Sequence, residues 1–347
     1  MRAVTRWILV VALVSAGAIA SAAGTTTLTV GGVSIPLPLG LQADAAYVPE
    51  GNAPTAERVA LGRLLYFDTR LSADNTVSCA TCHDPAHGFA EPRATSSGIR
   101  GQVGARNAPT VLNRLFSKEQ FWDGRAGDLE EQAHGPIVNQ IEMGMASHDQ
   151  CIERLRGIKG YGPLFEKAFG TPEITMPRVA QAIASYERRV LTGNSPFDRY
   201  QAGDHGAMSD AAVRGMALFN AKGNCVTCHA GFNFTDESYH NLGVGMDAKA
   251  PDLGRYAITK QDVDRGAFKT PTLRNVTQTA PYMHDGKEKT LRDVIVFYNQ
   301  GGRANPWLSK EMRPLALADA EIADLVAFLE ALTGEITEQS VPTTFPQ

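Results

Sequence analysis

Two short motifs in the sequence place two cysteines three residues apart, with a histidine directly after the second cysteine. They consist of Cys79, Cys82 and His83 in the first copy and Cys225, Cys228 and His229 in the second. Two thiols at this spacing can each bond a haem vinyl group, and the next residue offers an imidazole to the iron. The two copies therefore predict two covalently bound haem c groups in one chain.

Two other chemistries use cysteines at this spacing, and neither accounts for the whole pattern. A thioredoxin-like redox motif belongs to a βαβ unit, whereas no strand-like apolar run precedes either copy here. A tetrahedral zinc site would combine the four cysteines and leave both adjoining histidines without a role. Haem attachment explains the cysteines and the histidines together.

The segments around the motifs have the apolar periodicity of helices. A helix is expected to begin near Thr55 and to lead into the first motif, and residues 209–220 form the same arrangement before the second motif. Further helices are predicted at 151–169, at 176–192, at 319–332 and from Thr290 onwards. We predict a mainly α fold of two cytochrome c-like domains, each with one covalently bound haem, and long loops.

A turn cluster at residues 193–196 marks the expected domain boundary, because it combines glycine, asparagine, serine and proline. The predicted N-terminal haem domain covers residues 23–196, and the C-terminal haem domain covers residues 197–347. Each domain then contains one attachment motif and the helix that leads into it.

The N-terminus has the pattern of a secretory signal. Arg2 and Arg6 precede an apolar run at 7–18, and small residues at 20–22 form a cleavage site. The apolar run is too short to cross a bilayer. We predict a signal peptide at 1–22, a periplasmic location and no membrane span after cleavage.

Composition and charge narrow the classes of partner. With 43% hydrophobic and 20% charged residues the chain has the composition of a soluble globular protein. Its formal charge of −4 becomes −6 when Arg2 and Arg6 are removed, since two positive charges are lost. No basic patch for nucleic acid is evident, so the expected macromolecular partner is a redox protein.

One cysteine lies outside the two motifs. Cys151 is close to Ile152 and Leu155 at helical spacing, which favours a buried position over a reactive exposed thiol.

Four longer segments resemble the bacterial di-haem cytochrome c peroxidases and their MauG-like branch. They are LGRLLYFDTRLS at 61–72, RNAPTVLN at 106–113, FWDGRAGDLEEQA at 121–133 and KTPTLRNVTQTAPYMHDG at 269–286. The resemblance covers almost the whole mature chain. It implies that the N-terminal haem is the peroxidatic one and that the C-terminal haem exchanges electrons with a protein.

The resemblance also implies an open coordination position on the first haem. Peroxidases of the family carry a histidine in the loop after the first motif, and the matching position here is Ile99. Isoleucine cannot bind iron. His87 is the alternative cap, although it would have to reach the opposite face of the haem from His83.

The second departure from the peroxidase pattern concerns the other haem. Where those enzymes have a methionine ligand, this sequence has Tyr298, as in the MauG-like branch. An anionic phenolate stabilises ferric and higher-valent iron better than a thioether does. A core position for Tyr298 is the simpler interpretation of its periodicity, and Met283 and Met312 are the competing ligands.

Three further side chains are assigned roles by the resemblance. Trp122 matches a tryptophan between the haems that relays electrons, and it can also be a buried aromatic residue. Gln132 and Glu142 match the amide and acid of the peroxidatic pocket, with Pro136 beside them. A carboxylate there can move a proton between the two peroxide oxygens, whereas the alternative is a surface acid.

The family also carries a calcium ion between its domains. The matching positions are Asn107, Thr279 and Pro281, which offer oxygen ligands from both halves of the chain. We therefore expect bound Ca²⁺ in addition to two haem c groups.

These observations predict a periplasmic di-haem oxidoreductase that uses hydrogen peroxide at the N-terminal haem. Ile99 and Tyr298 favour MauG-like oxidation of a substrate protein through the second haem. The alternative is a cytochrome c peroxidase that takes electrons from a small cytochrome c or a cupredoxin. A third hypothesis is a non-catalytic di-haem electron carrier, with two six-coordinate haems.

Overall fold

The computed structural model describes residues 26–347, so the predicted signal peptide lies outside the described residues. Within 26–347 no helix has both the length and the apolar character needed to cross a membrane. The described chain is mainly helical, as predicted, and forms two helical domains with little sheet.

The N-terminal half consists of a hairpin followed by six helices. Their bounds are β1 Thr26–Val30, β2 Val33–Leu37, α1 Ala56–Phe67, α2 Cys79–Cys82, α3 Leu129–Val138, α4 His148–Arg156, α5 Tyr161–Phe169 and α6 Met176–Glu187. The hairpin strands are antiparallel. The first attachment motif begins with α2. Gln132 and Pro136, which belong to the predicted peroxidatic pocket, lie on α3.

The C-terminal half alternates short strands with helices. Its elements are β3 Thr192–Gly193, α7 Pro196–Gln201, α8 Asp210–Asn220, β4 Tyr239–His240, α9 Tyr256–Thr259, β5 Phe268–Lys269, α10 Leu291–Asn299, α11 Asp319–Glu330 and β6 Glu335–Ile336. Strands β4 and β5 pair with each other, and β6 pairs with β3.

The two halves repeat one packing arrangement. In each half the helix before the motif crosses a later helix at a glycine, α1 against α6 and α8 against α11. A Cβ at Gly62 would lie 1.8 Å from the Ala182 carbonyl oxygen, and a Cβ at Gly215 would lie 1.9 Å from that of Asp324. Only glycine permits backbones to approach this closely, so the duplication extends to the helix crossings.

The predicted starts of helices agree with the structure more closely than the predicted ends and lengths do. Thr55 caps α1 by accepting a hydrogen bond from the Arg58 N–H, and Thr290 caps α10 in a reciprocal box with Asp293. The single helix predicted at 151–169 is wrong, because α4 and α5 are separate helices. The helix predicted at 176–192 ends at Glu187.

The end of the chain crosses from the C-terminal helices to the N-terminal ones. The Tyr186 hydroxyl donates to the Glu338 carbonyl at 3.0 Å, and the Arg70 guanidinium donates to that of Pro346 at 2.9 Å. Residues 338–347 fall within the range predicted for the C-terminal domain, but they lie on the N-terminal helices.

Candidate active site

The structure brings the three residues of each motif to one cavity. Cys79, Cys82 and His83 line the first cavity, which has a volume of about 560 Å³. Cys225, Cys228 and His229 line the second cavity, of about 220 Å³. Each cavity therefore has the two thiols and the imidazole of one motif in its wall.

The first motif is held by α2 and by the helix before it. The His83 backbone N–H closes the turn by donating to the Cys79 carbonyl at 2.9 Å. The Tyr66 hydroxyl on α1 donates to the His83 carbonyl at 2.8 Å. Burial lowers the pKa of His83 to about 4, so its imidazole is neutral, which is the form that binds iron.

The second motif fixes its histidine through a ring hydrogen bond. The His229 Nδ1 lies 2.9 Å from the Phe234 carbonyl oxygen, and burial lowers the pKa of the ring. A neutral ring that donates from Nδ1 leaves Nε2 free for a metal. The Nδ1 of His83 is buried without a hydrogen-bond partner in residues 26–347.

These groups fit haem c. None of the four motif cysteines forms a disulfide, and each pair shares a cavity with a neutral imidazole. Two thioether bonds and one nitrogen ligand are what haem c requires.

The distal residues predicted for the first haem meet in the first cavity. Gln132 and Pro136 lie one turn apart on α3, and Glu142 follows in the turn after the helix. Burial raises the pKa of the Glu142 carboxyl, and the positive charge of Arg125 partly opposes that rise. These residues give the cavity of His83 an amide group and a carboxyl group of raised pKa.

Neither Ile99, at the position of the family's capping histidine, nor His87, the alternative cap, lines the first cavity. The Ile99 side chain is 1% exposed and packs in the N-terminal core, while its N–H donates to the Glu142 carbonyl at 2.9 Å. His87 is half-exposed and pairs with Asp84 at 3.0 Å. Within residues 26–347, His83 is the one histidine in the wall of this cavity.

The two cavities share a wall. Residues 107–110, Arg114, Trp122 and residues 269–271 line both of them, and we call this set the shared wall. The Trp122 indole donates to the Asn107 carbonyl at 2.8 Å, and its own carbonyl accepts from the Lys269 N–H at 2.8 Å. The tryptophan is thus held between the cavities by both halves of the chain.

Tyr298 lies on α10 and lines the second cavity, with no hydrogen bond from its hydroxyl to residues 26–347. Burial raises its pKa well above the ordinary value, so an anionic phenolate here requires a cation such as ferric iron beside it. Other potential iron ligands also line this cavity, among them Tyr282, Met283, Met312, His240 and His284.

The two additional histidines of the second cavity already have partners. The His240 ring pairs with Asp236 at 2.7 Å. The His284 ring stacks on Phe268 with centroids 3.5 Å apart. Neither contact occupies both ring nitrogens, so Tyr298 is one of several side chains in this cavity that could bind a second iron.

The three residues predicted to bind calcium all line the second cavity. The Asn107 N–H donates to the His284 carbonyl at 2.8 Å, which places Asn107 against the segment that contains Thr279 and Pro281. The Asn107 amide donates to the Arg93 carbonyl, and its Oδ1 accepts no hydrogen bond within the described chain.

Sequence reasoning missed several ionisable residues around the cavities, among them Glu187, Arg114 and Lys269. Glu187 lines the first cavity at 4% exposure, and burial raises its pKa to about 8. Arg114 and Lys269 belong to the shared wall. Glu187 could have been found, because it continues the buried row of Val179 and Ile183 at four-residue spacing on α6. No local pattern indicates the other two.

Comparison with known proteins agrees with this geometry. A profile of di-haem cytochrome c peroxidases matches residues 56–206, and a cytochrome c profile matches residues 212–333. The methylamine utilization protein MauG of Methylorubrum extorquens is 43% identical over 297 residues, which cover 85% of this chain and 83% of that protein. The cytochrome c551 peroxidase of Nitrosomonas europaea is 39% identical over 308 residues, which cover 88% and 87%.

Solved structures show the same relationship. The crystal structure of a MauG-like protein associated with microbial copper homeostasis superposes with a TM-score of 0.79 at 31% identity, over 86% of this chain and 95% of that chain. Because such similarity extends over most of its length, the chain belongs to the di-haem cytochrome c peroxidase family, whose members are oxidoreductases with two haem c groups and include MauG.

Proposed function

We propose that this enzyme reacts with hydrogen peroxide in the first cavity and oxidises a substrate protein through the second haem, as a MauG-like oxidoreductase. The observation that carries the proposal is the pairing of a first cavity whose wall has no second histidine with a second cavity that presents Tyr298. When bound, haem supplies iron that exchanges the two electrons needed to reduce peroxide to water.

In the first cavity the chain supplies proton transfer and orientation. Reduction of one peroxide consumes two electrons and two protons and yields two water molecules. Glu142 takes the proton from the near oxygen of the peroxide and delivers it to the far oxygen, while the Gln132 amide orients the molecule. The raised pKa of Glu142 brings its proton affinity closer to that task.

Electrons pass between the cavities through the shared wall. Trp122 is the aromatic side chain that touches both cavities, and hydrogen bonds from both halves of the chain fix its position. We assign Trp122 the role of electron relay. We further assign residues 23–196 to a peroxidatic domain and residues 197–347 to an electron-transfer domain.

In the second cavity Tyr298 is proposed as the ligand opposite His229. Both side chains line this cavity, and the tyrosine hydroxyl has no other partner in the described chain. An anionic oxygen ligand lowers the reduction potential of iron relative to a thioether, which suits a haem that stores oxidising equivalents.

The second candidate function is that of a cytochrome c peroxidase supplied with electrons by a small cytochrome c or a cupredoxin. Met283 and Met312 favour it, because both methionines line the second cavity and either can provide a thioether ligand. The peroxidase of Nitrosomonas europaea is nearly as similar to this chain as MauG is.

We further propose a calcium ion held by the Asn107 side chain and by the carbonyl oxygens of Thr279 and Pro281. The support is the unused Oδ1 of Asn107 beside that segment and the preference of Ca²⁺ for such oxygens. The signal pattern at the N-terminus supports a periplasmic location.

The deciding experiment is to record absorption and electron paramagnetic resonance spectra of the purified ferric protein, and then to add one equivalent of peroxide without reductant. The proposal predicts one high-spin and one low-spin haem, with direct reaction of the resting enzyme. The matched measurement on Tyr298→Met tests the second ligand.

Other spectra would favour the alternative functions. Two low-spin haems that react with peroxide only after half reduction would show a cap on the first iron and favour the peroxidase function. Two low-spin haems that never react with peroxide would indicate an electron carrier. A Tyr298→Met spectrum identical to that of the parent protein would exclude the tyrosine ligand.

A further inference from the structure

The shared wall contains a guanidinium group that lacks a counter-charge. Arg114 donates from Nε to the Gln120 side-chain oxygen at 2.8 Å and from Nη2 to the Glu119 carbonyl at 3.0 Å. Both acceptors are neutral. Among residues 26–347 no carboxylate oxygen pairs with Arg114 within 4.0 Å, although the side chain offers five N–H donors.

Two acids act on the charge of Arg114, and neither neutralises it. Glu237 is paired with Lys269 and also accepts from the Ser117 hydroxyl. Glu187 is fully buried, and the consequent rise of its pKa to about 8 keeps its carboxyl protonated at neutral pH. Arg114, Lys269 and Glu237 therefore leave one net positive charge at the wall.

An uncompensated cation in a desolvated position is costly, and proteins usually pair such a group with an anion. Here Arg114 lines both cavities, and its Nη1 donates no hydrogen bond to residues 26–347. A haem carries two propionate carboxylates, and a planar guanidinium matches a carboxylate with two parallel hydrogen bonds.

We propose that Arg114 is a haem-binding residue that holds propionate carboxylates at the shared wall, with the Lys269 ammonium as a second donor. The inference rests on haem in both cavities, but not on the identity of the electron donor or on Tyr298. It assigns Arg114 a role in setting haem potentials, because a fixed positive charge favours the reduced form, which carries one more electron.

The test compares Arg114→Gln, which removes the charge, with Arg114→Lys, which keeps the charge but lacks the fork of donors. Arg214→Gln is the matched control. It also removes one positive charge, but Arg214 pairs with Asp324 at the surface and lines neither cavity. Haem content is first measured for each holoprotein by pyridine haemochrome absorbance, and two haems per chain establish that both cavities are filled.

Midpoint potentials of both haems and the propionate bands of the resonance Raman spectrum are then measured. For Arg114→Gln we expect the one-electron reduction constant of at least one haem to fall about tenfold or more, which corresponds to 59 mV, together with shifted propionate bands. Arg114→Lys should shift the bands with a smaller change in potential, and Arg214→Gln should change neither.

The proposal is overturned if both Arg114 variants retain the parental bands and potentials while carrying two haems. It is also overturned if Arg114→Gln lowers the potential but Arg114→Lys retains the parental bands, because the effect would then be one of distant charge without contact. If Arg114→Gln does not accumulate as holoprotein, the bands of Arg114→Lys decide the question in the same way.

Discussion

The two cavities contain the same attachment chemistry but differ in the groups that face it. The first cavity places Glu142, Gln132 and Glu187 around the space beside His83. The second cavity is formed by the apolar faces of α8, α10 and α11, and Tyr298 presents an unpaired hydroxyl within it. Two copies of one motif therefore have different chemical surroundings, which come from the elements packed over them.

The physical basis of this difference is the ability to move protons. Peroxide reduction needs a group that exchanges protons near neutral pH. Among residues 26–347, the carboxyl groups that line a cavity and have a pKa raised by burial are Glu142 and Glu187, and both line the first cavity. An apolar cavity around a fixed ligand is suited to electron transfer, because little reorganisation accompanies the change in charge.

The largest expected effect is on the rate of reaction with peroxide when the proposed base of the first cavity is removed. Replacement of Glu142 by glutamine keeps the shape of the side chain but removes proton transfer, so the rate of reaction with peroxide should fall by about 10²- to 10⁴-fold. Stopped-flow absorbance of the ferric protein measures this rate. Glu153→Gln is the control, since Glu153 is an exposed acid on α4.

The same base predicts a pH profile. Only the ionised carboxylate accepts a proton, so the rate should decrease as the pH falls through the pKa of Glu142. Because burial raises that pKa above the ordinary value of 4.5, the decrease should be centred above pH 4.5. An unchanged rate in Glu142→Gln, or a profile that is flat down to pH 4, would remove Glu142 from the mechanism.

The second effect concerns Glu187 and the stability of the same domain. Its folded pKa of about 8 exceeds the ordinary value of 4.5, so the folded state binds the proton more tightly than the unfolded state. The stabilisation is complete well below pH 4.5 and is lost as the pH rises through 8, by roughly 5 kcal/mol in the free energy of unfolding.

Denaturant unfolding of the holoprotein between pH 5 and pH 9 tests this prediction. Glu187→Gln should flatten the decline, because the amide remains neutral throughout, whereas the exposed Glu166→Gln should retain it. Equal pH dependence in the two variants would show that Glu187 is ionised in the folded protein.

The third prediction addresses the second cavity. Tyr298→Phe removes the proposed oxygen ligand, so the reduction potential of the second haem should rise and its equilibrium constant for reduction should change by about tenfold or more, or 59 mV. Spectroelectrochemical titration measures both haems. Met283→Leu and Met312→Leu are the matched controls, and a shift in either of them without a shift in Tyr298→Phe would transfer the ligand role to that methionine.

The smallest expected effect is at the shared wall. Trp122→Phe loses the hydrogen bond from the indole to the Asn107 carbonyl, which should lower the free energy of unfolding by about 1 kcal/mol. Electron exchange between the haems should slow, while the first reaction with peroxide should retain its rate. Trp307→Phe, at an exposed tryptophan that lines neither cavity, should change neither quantity. Unaltered exchange in Trp122→Phe would exclude the relay.

The functional residues that were found from the sequence lie in short, continuous segments. The motif spacing alone indicated haem attachment, and the order of the long segments indicated Trp122, Gln132 and Glu142, which the structure places around the first cavity. The start of α10 was equally accessible, because the capping box of Thr290 and Asp293 is a local interaction over three residues. Cys151 is buried as expected, with 0% exposure.

What the sequence did not indicate depends on contacts between distant segments. The break between α4 and α5 comes with glycines at 157 and 160 inside a run whose apolar spacing resembles one helix. The return of residues 338–347 to the N-terminal helices has no local signal, because their hydrogen bonds join residues more than 150 positions apart.

The sequence by itself determined that this chain can attach haem covalently, because thioether attachment depends on the spacing of cysteines along the backbone. Only the tertiary structure decided how the two sites communicate. The shared wall combines residues 107–110, Arg114 and Trp122 with residues 269–271. Arg114 comes from the N-terminal half and has no carboxylate partner within residues 26–347, because Glu237 of the C-terminal half pairs with Lys269.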